Sequence, residues 1–125
     1  MVCVCEIVGD TDGCITLGAV EDLAPVYEAA DLVINPVAFT SGLSIKTMEA
    51  LGYSKAVVAS PAGSRGLEEA AGRALLVAED PSSIAESVIE VLSDPALSRM
   101  LSDAAFGFAE ECNRRSRDAL AGILD

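Results

Sequence analysis

The chain has 125 residues with 51% apolar content, enough for one domain with a real core, and its 20 acids against 8 bases give a formal net charge of −12. That balance argues against nucleic acid or an anionic membrane surface as a partner, because both need a basic face. No apolar run approaches the roughly 20 residues of a membrane-spanning helix, and the start, MVCVCEIVGD, lacks the basic region of a secretory leader, so a cytoplasmic protein with no integral membrane segment is expected.

Residues 2–8 form a mostly apolar, β-branched run ending at Gly9, the pattern of a buried parallel strand in which Cys3 and Cys5 pack as small apolar side chains. Four cysteines, at 3, 5, 14 and 112, match no zinc spacing and histidine is absent, so no metal site is expected. A turn at residues 10–13 leads to a short strand at 15–17. Beyond Gly18, Leu23, Val26, Tyr27 and Ala30 fall at helical spacing, with Glu21 and Asp22 favourable to the amino end. Strand 32–34 stops at Asn35-Pro36. The next helix carries Lys46 and Glu49 three apart, with Ile45, Met48 and Gly52 expected on its buried side. Strand 56–59, a turn with two glycines at 60–66, and strand 73–77 follow. Asp80-Pro81 and Asp94-Pro95 each offer a capping carboxylate followed by proline at the first helical position. Ile84, Val88, Val91 and Leu92 stripe the first of these helices, and Leu97, Leu101, Ala104, Ala105 and Phe108 the second. Leu120, Ile123 and Leu124 point to a further, final helix. The alternation predicts an α/β domain built on a doubly wound parallel sheet.

Residues 35–66 carry the candidate binding site. In an open α/β sheet, the carboxyl ends of strands and the amino ends of the following helices meet on one edge, so polar loops there converge on a crevice. The loop 39–44, FTSGLS, offers backbone amides, hydroxyls and a glycine, all suited to an anion. Residues 1–40 hold seven acids and no base, and residues 74–125 hold ten acids and four bases. Only 41–73, with four bases against three acids, is net positive, which would favour a phosphorylated small molecule there. Without histidine, chemistry must use carboxylates, hydroxyls, lysine or the substrate itself.

Residues 17–36 (LGAVEDLAPVYEAADLVINP), 41–63 (SGLSIKTMEALGYSKAVVASPAG), Gly66-Leu67 and 75–81 (LLVAEDP) together resemble the carboxy-terminal domain of GT-B fold, family 4 type glycosyltransferases, the glycosyl transferases group 1. The most specific part is the segment G-L-x-I-K-x-x-E-A-L followed by V-V-A-S-P-x-G. The resemblance implies a Rossmann-like three-layer αβα domain with a mostly parallel sheet, half of a GT-B fold. It implies a nucleotide diphosphate sugar as donor substrate, with no separate cofactor. Glu49 matches the second glutamate of the family's E-x7-E motif, which accepts hydrogen bonds from the nucleotide ribose. Ser41 stands where the first glutamate falls, a departure from the residue that usually contacts the sugar, though the family pattern also includes Thr-Gly-Leu here and the departure does not by itself imply loss of activity. Gly42 and Leu43 match the backbone contact to the diphosphate, and Lys46 belongs to the same segment. No catalytic residue is assigned.

The family's domain opens with an additional strand, glycine-containing loop and helix, and is paired with an acceptor-binding domain. The chain aligns from the strand after these, so it is expected to be catalytically incomplete without an acceptor-binding lobe, either as a truncated piece of a longer protein or as one half of a split enzyme that a separate acceptor-binding chain completes. The residues leave a second class of function open: a non-catalytic interaction or regulatory domain of the same fold, acting as a homodimer. They also leave plainer roles open. Lys46 and Glu49 at i, i+3 fit a surface ion pair, Ser41 and Ser44 fit simple helix caps, and Gly63 and Gly66 fit a turn with positive φ.

Overall fold

The computed structural model describes residues 2, 3 and 13–124. Strand β1 (Val2–Cys3) pairs in parallel with β2 (Ile15–Thr16), Val2 opposite Ile15. The rest of the predicted strand 2–8, with Cys5, lies outside the described residues. A second parallel sheet has the order β3-β4-β5, from β3 (Val33–Asn35), β4 (Val57–Ala59) and β5 (Leu76–Val77). Among the described residues the two sheets share no strand pairing.

β4 is the centre, and its residues are all buried. Side chains alternate along a strand, and here each face meets its own cluster. Val57 and Ala59 pack with Ala50 and Leu51 of helix α2 (Ile45–Gly52) and with Leu67, Ala70, Leu75 and Phe108. Ala56 and Val58 pack on the other side with Val91 of α3 (Pro81–Ser93) and Leu101 of α4 (Pro95–Leu124). Helices on both faces of a parallel sheet make the three-layer αβα arrangement and explain the uninterrupted apolar run of β4. The short helix α1 (Ala24–Ala29) lies on the α2 side: Leu23, Val26, Tyr27 and Ala30 are half-buried, and the Asp22 carboxylate accepts the Ala24 amide at 3.0 Å.

The helix starts read from the Asp-Pro pairs are both present. Asp80 accepts the Ser83 amide at 2.9 Å while the Ser83 hydroxyl accepts the Asp80 amide at 3.2 Å, a reciprocal cap that holds the Asp80 carboxyl below its usual range. Asp94 accepts the amides of Ala96 and Leu97 at 3.0 and 3.2 Å. Three expectations are corrected. Strand 73–77 is shorter, because the amides of Arg73, Ala74 and Leu75 all turn back to the carbonyl of Ala70 before β5 begins. The separate final helix does not exist: α4 runs unbroken to Leu124, with no proline inside it and with the i, i+4 pairs Glu111–Arg115 and Arg114–Asp118 carrying it through the polar stretch. Leu120, Ile123 and Leu124 are exposed on its last turns. The buried side of α2 is also different, with Thr47, Ala50 and Leu51 facing inward while Ile45 is 72% exposed and Gly52 is exposed. Among the described residues no helix is long and apolar enough to cross a membrane.

Candidate functional site

The rotation of α2 has a polar cause. Asn35, the last residue of β3, is buried, and its amide nitrogen donates to the hydroxyls of Ser44 at 3.1 Å and Thr47 at 2.8 Å. Ser44 donates to Thr47 at 3.1 Å, and Thr47 in turn donates to the carbonyl of Gly63. A buried amide must find partners, so the hydroxyl face of the helix turns toward the sheet and Ile45 turns out.

A second set of bonds joins the loop before α2 to the turn after β4. The Ser44 amide donates to the Arg65 carbonyl at 2.9 Å, and the Arg65 guanidinium donates to the Thr40 carbonyl at 3.1 Å. Ser60 donates to the Val37 carbonyl at 2.6 Å and accepts the Gly63 amide at 3.0 Å. Between these anchors, Ser41 and Gly42 are exposed and Leu43 is half-exposed, resting against Gly66. Gly42 sits at φ +87° with open space around it. This is left-handed backbone, which favours glycine.

All five residues singled out from sequence, Ser41, Gly42, Leu43, Lys46 and Glu49, therefore lie on one arch and the first two turns of one helix. Ser44 stands at the cap position, but its hydroxyl is taken by Asn35 and Thr47 and caps no backbone amide. The Ser44 amide is satisfied by Arg65, whereas the amides of Ile45 and Lys46, on exposed residues, have no acceptor among the described residues. An uncapped helix start carries partial positive charge, here reinforced by the exposed Lys46. Lys46 and Glu49 form no ion pair among the described residues. Glu49 is half-buried, and its charge is felt at Tyr27. The Tyr27 ring stacks on Tyr53 with centroids 4.4 Å apart, and its phenol is pushed above the usual range by burial first, then by the Glu49 carboxylate and Tyr53. The arrangement offers donors for an anion at the helix start and an acceptor-only carboxylate one turn further along.

A wider apolar hollow of about 810 Å³ opens elsewhere, between the carboxyl ends of β3 and β4 and helix α3, lined by Ile34, Val37, Ser60, Pro61, Ile84 and Val88 among others. It holds none of the five. Sequence reading missed this hollow and the roles of Asn35 and Thr47. An asparagine closing an apolar strand before a proline, and a threonine within a helix, are the signals that were there to find.

The architecture is that of the carboxy-terminal domain of GT-B glycosyltransferases. The family model described as glycosyl transferases group 1 matches residues 4–94, and the chain belongs to that family. In structure it is similar to the C-terminal domain of LpcC, a glycosyl transferase group 1 family protein from Francisella tularensis, with a TM-score of 0.67, 22% identity, 78% of this chain covered and 52% of that one. It is similar also to Alr3699/HepE from Anabaena, solved in complex with UDP and glucose, with a TM-score of 0.73, 19% identity, and 86% and 32% covered. In sequence it is 26% identical over 116 residues to an uncharacterized 44.6 kDa protein in the cps region of Klebsiella pneumoniae, covering 93% of this chain and 30% of that protein. The chain thus spans about a third of that relative's length and about half of the LpcC domain.

Proposed function

We propose that this chain is a donor-binding domain that holds a nucleotide diphosphate sugar at the amino end of α2. The observation that carries the reading is the open helix start, where the amides of Ile45 and Lys46, without an acceptor among the described residues, lie beside the exposed Gly42-Leu43 arch, with Glu49 one turn along. The diphosphate is placed against those amides and the Lys46 ammonium. The ribose hydroxyls donate to Glu49, since a carboxylate has acceptor sites for both. Family membership supports this assignment, as does the UDP and glucose bound by the structurally similar HepE. The mode of catalysis is electrostatic, with the helix end and lysine stabilising a departing diphosphate and no protein nucleophile. An acceptor-binding lobe comes from elsewhere, which fits the short span of the relatives that the chain covers.

The test is thermal denaturation with UDP, GDP and their sugars. A ligand at 100 times its Kd stabilises by about 2.7 kcal/mol, a shift of several degrees. Glu49→Ala should abolish that shift while leaving the unliganded melting temperature nearly unchanged. Absence of any shift at millimolar nucleotide, together with elution as a stable dimer, would overturn the reading in favour of an interaction domain.

A further inference from the structure

We propose that Asn35 and Thr47 are positioning residues that preset the arch of residues 41–43 for its ligand, an inference that rests on the donor-binding reading above. Hydrogen-bond capacity fixes the cluster. A threonine hydroxyl has one proton to give and two lone pairs to receive, and Thr47 uses all three: it receives from Asn35 and Ser44 and gives to the Gly63 carbonyl. The Asn35 amide nitrogen likewise spends both its protons, on Ser44 and on Thr47. The direction of every bond in this buried cluster is therefore fixed, and no alternative partner remains for either group.

The cluster ties three segments that are separate in the chain: the end of β3, the start of α2, and the turn after β4. The Asn35 backbone carbonyl adds a further tie by accepting the Ser60 amide at 3.0 Å. With Ser44 pinned at one end and Thr40 held by Arg65 at the other, only three residues of the arch span freely between fixed points. Neither Asn35 nor Thr47 lies on the exposed arch; both are buried beneath it. Their effect on a ligand is exerted through the backbone they hold. Loss of the Thr47 hydroxyl leaves an Asn35 amide proton, the Ser44 hydroxyl proton and the Gly63 carbonyl unmatched, and the arch then samples arrangements other than the binding-competent one. Apparent affinity falls by the fraction of molecules that remain competent.

The test compares wild type, Thr47→Val, Thr47→Ser and Ser44→Ala by isothermal titration with UDP and GDP, at a temperature where urea unfolding shows each variant to be fully folded. Thr47→Val is expected to raise Kd about tenfold, as it would if about one molecule in ten kept the competent arch, while Thr47→Ser stays within about twofold. If Thr47→Val does not fold, Ser44→Ala, which removes two of the cluster's bonds but leaves Thr47 joined to Asn35 and Gly63, should show a smaller rise in Kd. A variant that is less stable yet binds with the wild-type Kd overturns the positioning role and leaves the donor-binding reading intact. Failure of wild type to bind either nucleotide, with Glu49→Ala indistinguishable from it, overturns the donor-binding reading and this inference with it.

Discussion

An alanine at position 63 would drive its methyl carbon into the carbonyl oxygen of Asn35, with the Asn35 side chain and the Ser60 hydroxyl each 3.2 Å away. The glycine is required by close approach, not by a left-handed backbone; of the two glycines in that turn only Gly66, at φ +82°, has that geometry. Gly63→Ala is therefore expected to destabilise by about 1–3 kcal/mol, as overpacking does, measured by urea unfolding at pH 7. The same substitution at Gly122, which meets nothing within 4 Å on an exposed helix turn, should be neutral or slightly stabilising. At this scale the sequence was only partly legible. Glycine in a turn was evident, but its reason lay in Asn35, far along the chain and invisible to any local pattern.

At the scale of single elements, α2 is closed at one end and open at the other. Its carboxyl end is a Schellman turn, in which the Ser54 amide donates to Leu51 and the Lys55 amide to Ala50, at 3.0 and 3.1 Å. The turn needs a left-handed residue, and Ser54 supplies it at φ +57°. A side chain in that region is strained, so Ser54→Gly is expected to stabilise the domain by about 1 kcal/mol, read as a higher urea midpoint at unchanged slope. Helix boundaries set by adjacent residues were readable, as at Asp80-Pro81 and Asp94-Pro95, because proline and capping carboxylates act within one turn. The buried side of α2 was not. Met48 does pack against the core, but Ile45 and Gly52, expected on the same side, are exposed, because the need to satisfy a buried amide on a neighbouring strand sets the rotation. Polar burial outweighs one isoleucine here because the rotation satisfies the Asn35 amide and the Gly63 carbonyl together, at about 1–3 kcal/mol for each group left unpaired, against about 1.5–3 kcal/mol for burying one isoleucine.

Across the whole molecule, α4 links the two faces of the sheet. Leu101 belongs to the cluster beneath α3, and within two turns Ala105 and Phe108 enter the cluster beneath α2. Phe108 is buried and carries the Arg73 guanidinium over its ring at 5.9 Å. Phe108→Ala should cost about 3–5 kcal/mol, whereas Ile123→Ala, 78% exposed on the same helix, should stay within about 0.5 kcal/mol. Paired denaturation curves decide this: equal losses at the two positions would mean that the distal turns are packed after all. The layered architecture was the most legible feature, since it follows from strand and helix alternation alone. The continuity of α4 was not, because an exposed apolar triplet such as Leu120, Ile123 and Leu124 looks the same in sequence whether or not a core receives it.

The double clamp on residues 40–44 moves a thermodynamic cost from one event to another. Segments that are limp before an encounter must surrender their freedom during it, and affinity suffers by that amount. Here the chain gives up that freedom while it folds, when the strand end, the helix start and the glycine turn lock together, so the proposed ligand would meet an arch whose ordering is mostly done.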